Sequence, residues 1–250
     1  EYDAIVLCCG ATQERLLAVP GSGLEGVHPA VAYLAGATQS LLDGTNPIIS
    51  AEGKEVIVGG GGDTGTDCVA TAIRQGAQKI TQLEIMPQPP EERAGNNPWP
   101  LWPKVKKTDY GHQEVIETLG KDPREYQTTV KEILDDGHGH VSGVVTVQVE
   151  WVSENERMMP RELPGTEQTR TADMVLTAMG FTGPEKGLLE QLDLKTDPRG
   201  NVSTDANGYG SSLMTVFAAG DVRRGPSLVV WAILEGRKAA QQCHEYLASR

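Results

Sequence analysis

Residues 54–72, KEVIVGGGGDTGTDCVATA, decide how this chain folds. Val56-Ile57-Val58 is an apolar β-branched run, the composition of a strand buried on both faces. Four glycines and Asp63-Thr64-Gly65 follow, after which Val69, Ala72 and Ile73 recur at the spacing of one helical face. Gly60-x-Gly62-x-x-Gly65 therefore falls at a strand-to-helix turn, the setting in which this pattern points to a dinucleotide. Gly60 permits a tight turn, Gly62 lets the backbone approach a pyrophosphate, and Gly65 lets helix and strand pack closely. The helix start adds free N–H groups and the positive end of its dipole.

Downstream, the helix is expected to run to about Gln75, with Gly76 as its stop. Residues 79–85 then form a second parallel strand and complete a βαβ unit. Glu84 lies nineteen positions after Gly65, where a carboxylate grips the adenosine ribose hydroxyls. A carboxylate there repels a 2′-phosphate and favours NADH. Arg93, a few residues on, is within reach of a 2′-phosphate and keeps NADPH open.

Upstream, residues 2–10 are expected to form a buried strand, part of an apolar run already under way at Glu1, and residues 29–42 a helix stopped by Gly44. Asn46-Pro47 breaks the chain before the central unit. Residues 87–130 are a long Pro-rich excursion, a functional loop or an interface. In it Trp99 and Trp102 alternate with prolines, and both indoles are expected to pack on the domain. Alternation from Thr128, a turn at Gly137-His138-Gly139 and the run VSGVVTVQVEWV predict an antiparallel hairpin or meander. His138 and His140 sit at its tip as solvated turn residues, without a Cys or acidic partner at metal-ligand spacing. Residues 171–180 return to a buried strand, and Gly183-Pro184 forms a hinge into another domain. A strand over 214–221 ends in Gly220-Asp221, and a helix runs from Ser227 to about Leu247. Asp221 at that strand end either binds a cofactor hydroxyl or caps a helix.

With 250 residues the chain fits one large or two ordinary domains. A net charge of -12 argues against a nucleic-acid surface or an anionic membrane, and no apolar run approaches a membrane span. The chain opens without Met, so a fragment of a longer protein is expected. Cys8, Cys9, Cys68 and Cys243 include no Cys-x-x-Cys, which disfavours a disulfide reductase and a Cys-rich metal or iron–sulfur site. All four are expected to be small apolar filler, in a reducing compartment.

Six blocks carry a resemblance over nearly the whole chain: residues 60–77 (GGGDTGTDCVATAIRQGA), 84–105 (EIMPQPPEERAGNNPWPLWPKV), 109–114 (DYGHQE), 146–151 (TVQVEW), 172–185 (ADMVLTAMGFTGPE) and 216–237 (VFAAGDVRRGPSLVVWAILEGR). They resemble the two-dinucleotide-binding-domain flavoproteins and, among these, the small subunit or C-terminal region of glutamate synthase. The resemblance implies an α/β fold in which a Rossmann-like NAD(P)-binding domain, residues 47–182, is inserted into an incomplete FAD-binding domain, residues 1–46 and 183–250. It implies that Gly60, Gly62, Asp63, Thr64 and Gly65 hold the NAD(P)H pyrophosphate and that Gly10 lies near the FAD adenosine. Gly220 and Asp221 would contact the FAD ribityl–pyrophosphate, and Ser227, Leu228 and Val229 the flavin's pyrimidine edge. No catalytic side chain or metal ligand is implied.

The family's first FAD glycine motif and its Cys-rich [4Fe–4S] region are absent from these residues, and Gly59 stands where an aliphatic residue is usual. The implied activity is hydride transfer from NADH, or NADPH, to FAD. Its implied partner is a glutamate synthase large subunit or fused FMN/iron–sulfur domain, which makes glutamate from glutamine and 2-oxoglutarate. A cytoplasmic setting is expected, an organelle also being compatible. Rivals are an electron-input subunit for a dihydropyrimidine-dehydrogenase-like or ferredoxin-linked enzyme, and a non-catalytic NAD(H)-binding module.

Overall fold

The computed structural model describes residues 2–101, 103–154, 157–206 and 208–250. Glu1 and Trp102, which the sequence reading placed in the first strand and the Pro/Trp ribbon, lie outside them. In chain order the elements begin with β1 (Ile5–Leu7), β2 (Gln13–Glu14), β3 (Val27–Pro29) and α1 (Ala30–Asp43). The central unit follows: β4 (Glu55–Gly59), α2 (Asp63–Arg74), β5 (Lys79–Glu84), α3 (Tyr110–Leu119) and β6 (Arg124–Tyr126). Next come β7 (Thr128–Asp135), β8 (Val141–Glu154), β9 (Arg157–Glu162), β10 (Gln168–Thr171) and β11 (Met174–Thr177). The chain closes with β12 (Phe181–Gly183), α4 (Lys186–Gln191), β13 (Val216–Ala218), α5 (Asp221–Arg224) and α6 (Val229–Ala248).

Leu16–Met179 form one compact unit around a five-stranded sheet in the order β3-β11-β4-β5-β6. Every pairing in it is parallel. The alternation of β4 explains why it is central. Val56 and Val58 face one core, with Tyr33 of α1, Val69 and Ile73 of α2 and Val115 of α3. Ile57 faces the other core, with Val130, Ile133 and Val144 of the antiparallel strands. Each of these buried aliphatics contributes about 1.5–3 kcal/mol. Fixing each residue of the following glycine run costs about 1–2 kcal/mol, so the strand holds the turn in place rather than the reverse. β7, β8 and β10 pair antiparallel over the second face, and β9 extends β8.

The other unit runs to Arg15 and resumes at Gly180–Arg250. Its β1 pairs in parallel with β13, and β2 pairs antiparallel with β12. Leu7, Leu189, Leu194, Val202, Val216 and Val222 form its core.

Several expectations change. The first unit ends at Arg15, not near residue 46, because β3 pairs with β11 and α1 packs on α2. The first strand stops at Leu7, with Ile5 and Val6 both exposed, and Cys8 and Cys9 are exposed rather than buried filler. Cys68 is buried as expected and Cys243 half-buried. The Pro-rich excursion hides helix α3 and strand β6. Trp99 stays 83% exposed instead of packing on the domain. His140 does meet acids, Glu25 at 3.2 Å and Asp136 at 3.5 Å, although no group of three or more such residues among the described ones has the arrangement to hold a metal ion. In the last helix, Leu228 is the residue before the first turn and is 69% exposed.

Candidate functional site

The glycine turn has a different task at each position. Gly60 has φ +127°, and a Cβ there would lie 2.2 Å from the Ala178 carbonyl oxygen. At Gly65 a Cβ would lie 2.2 Å from the Gly60 carbonyl oxygen, so α2 and the turn touch main chain to main chain. Gly62 is the opposite case: none of the described residues lies within 4 Å of the Cβ it lacks, and its backbone is extended. It is the residue before α2 and brings no side chain to cap the helix. Asp63 and Thr64 form the first turn, with Asp63 exposed and Thr64 half-buried. Main-chain amides at an uncapped helix start suit an anion. Gly65→Ala is expected to destabilise the fold by about 2–4 kcal/mol through overpacking against rigid backbone, measurable by urea unfolding.

Glu84 closes the side of this turn. Its Oε1 accepts the Met86 amide at 2.7 Å, and its Oε2 lies 2.0 Å from where a Gly61 Cβ would stand. The carboxylate is thus fixed beside the turn at the strand end, where the spacing put it. Arg93 has another task. Its Nη1 donates to the carbonyls of Asn97 at 3.0 Å and Leu101 at 2.8 Å, which ties the Pro-rich loop together.

Sequence reasoning missed the group behind the turn. Gln82, in the middle of β5, is fully buried, and its Nε2 donates to the Gly60 carbonyl at 2.9 Å. Its Oε1 lies 2.7 Å from Nε2 of His112, itself only 4% exposed on α3. His112 Nδ1 accepts the Asp109 amide at 3.4 Å, completing a capping box in which Asp109 caps the first turn of α3. An accepting Nδ1 leaves the proton on Nε2, which therefore donates to Gln82. Burial, with Arg124 nearby, lowers the His112 pKa below its ordinary value and favours the neutral ring. The signal was present: a glutamine inside an apolar strand needs a buried partner.

Helix α3 is docked on α2 at close range. A Cβ on Gly111 would lie 2.6 Å from the Thr66 carbonyl oxygen. Tyr110 donates its hydroxyl to Asp67, and Arg74 Nε donates to Glu114 at 2.8 Å.

The other unit gathers a second set. A cavity of about 300 Å³ is lined by Cys8, Gly10, Ala219, Gly220, Asp221, Ser227, Val229 and Ala232. Five of the positions that the resemblance singled out therefore share one cavity, while Leu228 is not among its lining. Gly10 and Gly220 both have positive φ, +73° and +75°, where a side chain strains the backbone. Asp221 accepts the Ser227 hydroxyl at 3.2 Å instead of capping a helix. Beneath lies Glu235, 1% exposed, whose Oε2 accepts the Gly220 amide at 2.9 Å. Its Oε1 accepts from Arg223 Nη1 at 3.0 Å and Arg224 Nε at 2.8 Å.

Residues 1–236 match the family model described as pyridine nucleotide-disulphide oxidoreductase. The chain belongs to that family. This pyridine nucleotide-disulphide oxidoreductase is 44% identical over 245 residues to a glutamate synthase [NADH] of Schizosaccharomyces pombe, covering 96% of the chain and 12% of that protein. It is 42% identical over 251 residues to the glutamate synthase [NADPH] small chain of Bacillus subtilis, covering 99% of the chain and 51% of that protein. The chain thus spans about half the length of that small chain. Among solved structures, FprA of Mycobacterium tuberculosis in complex with NADPH superposes with a TM-score of 0.70 at 16% identity, over 99% of this chain and 64% of that one. Thioredoxin reductase of T. acidophilum superposes with a TM-score of 0.60 at 22% identity, over 98% and 66%. These structural likenesses concern the fold: a mixed α/β architecture built on parallel sheet. No helix among the described residues is long and apolar enough to cross a membrane.

Proposed function

We propose that this oxidoreductase is the electron-input part of a glutamate synthase, taking hydride from NADH or NADPH onto FAD. The supporting observation is the open Gly62 position at an uncapped helix start, with the Glu84 carboxylate fixed beside it. On this reading the unit Leu16–Met179 takes the nicotinamide coenzyme. The amides of Gly62, Asp63, Thr64 and Gly65 meet its pyrophosphate, and Gly60 and Gly65 shape the turn. Glu84 accepts the adenosine ribose hydroxyls. Arg93 braces the adjoining loop, and its guanidinium is the group on hand for a 2′-phosphate.

The unit that resumes at Gly180 takes part of the FAD. Gly10, Gly220, Asp221, Ser227 and Val229 line a cavity that glycines keep free of side chains, which fits a ribose–phosphate segment. Leu228, at the residue before α6, presents an apolar face to the ring system, and the helix start favours negative charge nearby. When bound, FAD supplies the two-electron acceptor for the nicotinamide hydride. The chain's own contribution is to hold and orient the groups, since no acid or base is required of a side chain. The proposed recipient of the electrons is a large subunit or fused domain carrying FMN and iron–sulfur clusters, where glutamine and 2-oxoglutarate become glutamate. A cytoplasmic setting accords with this chemistry.

The test is titration of the full chain with NADH and NADPH, following nicotinamide fluorescence, with and without added FAD. Saturable coenzyme binding is expected with or without FAD, while flavin reduction is expected to need the rest of the FAD-binding domain. A chain that binds neither coenzyme overturns the proposal. With NADH preferred, Glu84→Ala is expected to narrow the NADH-over-NADPH affinity ratio by roughly tenfold, the loss of about 1.4 kcal/mol of charge-assisted hydrogen bonding and 2′-phosphate repulsion. An unmoved ratio would make Glu84 a surface acid only.

A further inference from the structure

We infer that His112 is a positioning residue for the coenzyme turn, acting on it through Gln82 and the Gly60 carbonyl. The inference rests on the proposed coenzyme reading and names a control element within that same site. Its geometry is a continuous line of hydrogen bonds. The Asp109 amide donates to His112 Nδ1, His112 Nε2 to Gln82 Oε1, and Gln82 Nε2 to the Gly60 carbonyl. Both side chains are buried, so water does not substitute for either. The line ends on the residue with φ +127°, whose peptide orientation sets where the amides after it point. Contact between Gly111 and Thr66 holds α3 against α2, so His112 is brought to Gln82 by rigid packing.

This arrangement makes the site sensitive to acid. A protonated imidazole has no acceptor at Nδ1, so the bond from the Asp109 amide is lost and two N–H groups confront each other. The charged groups around the ring are Asp109 at the start of its own helix, Asp122 two residues before β6 and Arg124 at its start. Burial and Arg124 oppose protonation while the two acids favour it, and the net direction is downward from the ordinary 6.5. The folded ring is therefore neutral at neutral pH, and the anchor of the brace at Nδ1, though not the Nε2 bond to Gln82, is lost as pH falls through the lowered value.

The experiment measures NADH affinity of the full chain between pH 5 and 8 for wild type, His112→Gln, His112→Leu and Gln82→Leu, with thermal melts alongside. His112→Gln keeps an N–H donor near the Nε2 position and carries no titrating ring. It should hold affinity within about threefold of wild type at pH 7.5 and lose the acid-side fall that wild type shows. His112→Leu and Gln82→Leu should each weaken NADH binding roughly tenfold or more, and the double variant should be no weaker than the worse single one. A fall in melting temperature without change in affinity would show a merely structural role and overturn the inference while leaving the coenzyme reading intact. If the leucine variants do not fold, the comparison of wild type with His112→Gln decides: identical pH profiles overturn the inference. If wild type itself binds no coenzyme, the functional reading falls and the inference with it.

Discussion

Gly62→Val is expected to leave the fold standing and to remove coenzyme binding. Gly62 has extended backbone, which any residue adopts, and no atom of the described residues lies within 4 Å of the added Cβ. The folded chain therefore accommodates the valine, losing at most about 1 kcal/mol for a poorer residue at the helix start. The same openness is what a pyrophosphate requires, and branched methyls at that point fill the space above the first-turn amides. Affinity for NADH is expected to fall by at least about 100-fold, equivalent to roughly 2.7 kcal/mol. Paired urea unfolding and coenzyme titration check both halves. Retained affinity in a folded variant would move the diphosphate away from this turn. Gly65→Ala serves as the contrast, since its cost is in folding.

Glu235→Leu is expected to destabilise the unit that resumes at Gly180 by about 3–5 kcal/mol, the range for removing one partner of a buried ion pair. The variant leaves the Gly220 amide without its acceptor and the Arg223 and Arg224 guanidiniums without their shared carboxylate. Arg224 is about a third exposed and stacks 4.4 Å from the Trp231 ring, so solvent and the indole compensate part of its share. The amide of Gly220 and the less exposed Arg223 carry most of the cost. Glu235→Gln, which keeps an acceptor for Gly220, should recover part of the loss. Hydrogen exchange resolved to residues of β13 and α6 measures the effect locally. A change below about 1 kcal/mol would show that the network is solvated.

The contrast between these two sites explains what was legible in the sequence. Around β4 every local signal agrees. A β-branched run, glycines at fixed intervals and a helical apolar face all require the same strand–turn–helix, so its position came from residue types alone. Glu84 followed because spacing along a βαβ unit is fixed by geometry. What escaped depends on partners distant in the chain. Gln82 and His112 are thirty residues apart, and nothing local distinguishes a braced glutamine from a strand-edge one. Helix α3 was concealed by the prolines and tryptophans before it, although Asp109 and His112 at capping-box spacing mark its start. The boundary at Arg15 was missed for the same reason: β3 is three residues long and earns its place by pairing with β11, far along the chain. Cys8 and Cys9 read as buried because apolar runs look alike, whether a strand continues or stops at Leu7.

The capping box on α3 has an engineering consequence. Asp109 and His112 share one turn, so the imidazole's bearing toward β5 is locked to the phase at which the helix begins. One residue spliced in between them swings the ring through about 100° and disconnects it from Gln82. A tag or reporter placed before Asp109, on the exposed stretch around Gly95, leaves that phase untouched. The exposed tip at Gly95 is thus the place for added residues, between the Arg93 ties to Asn97 and Leu101, while the three residues that follow Asp109 behave as a fixed gear tooth.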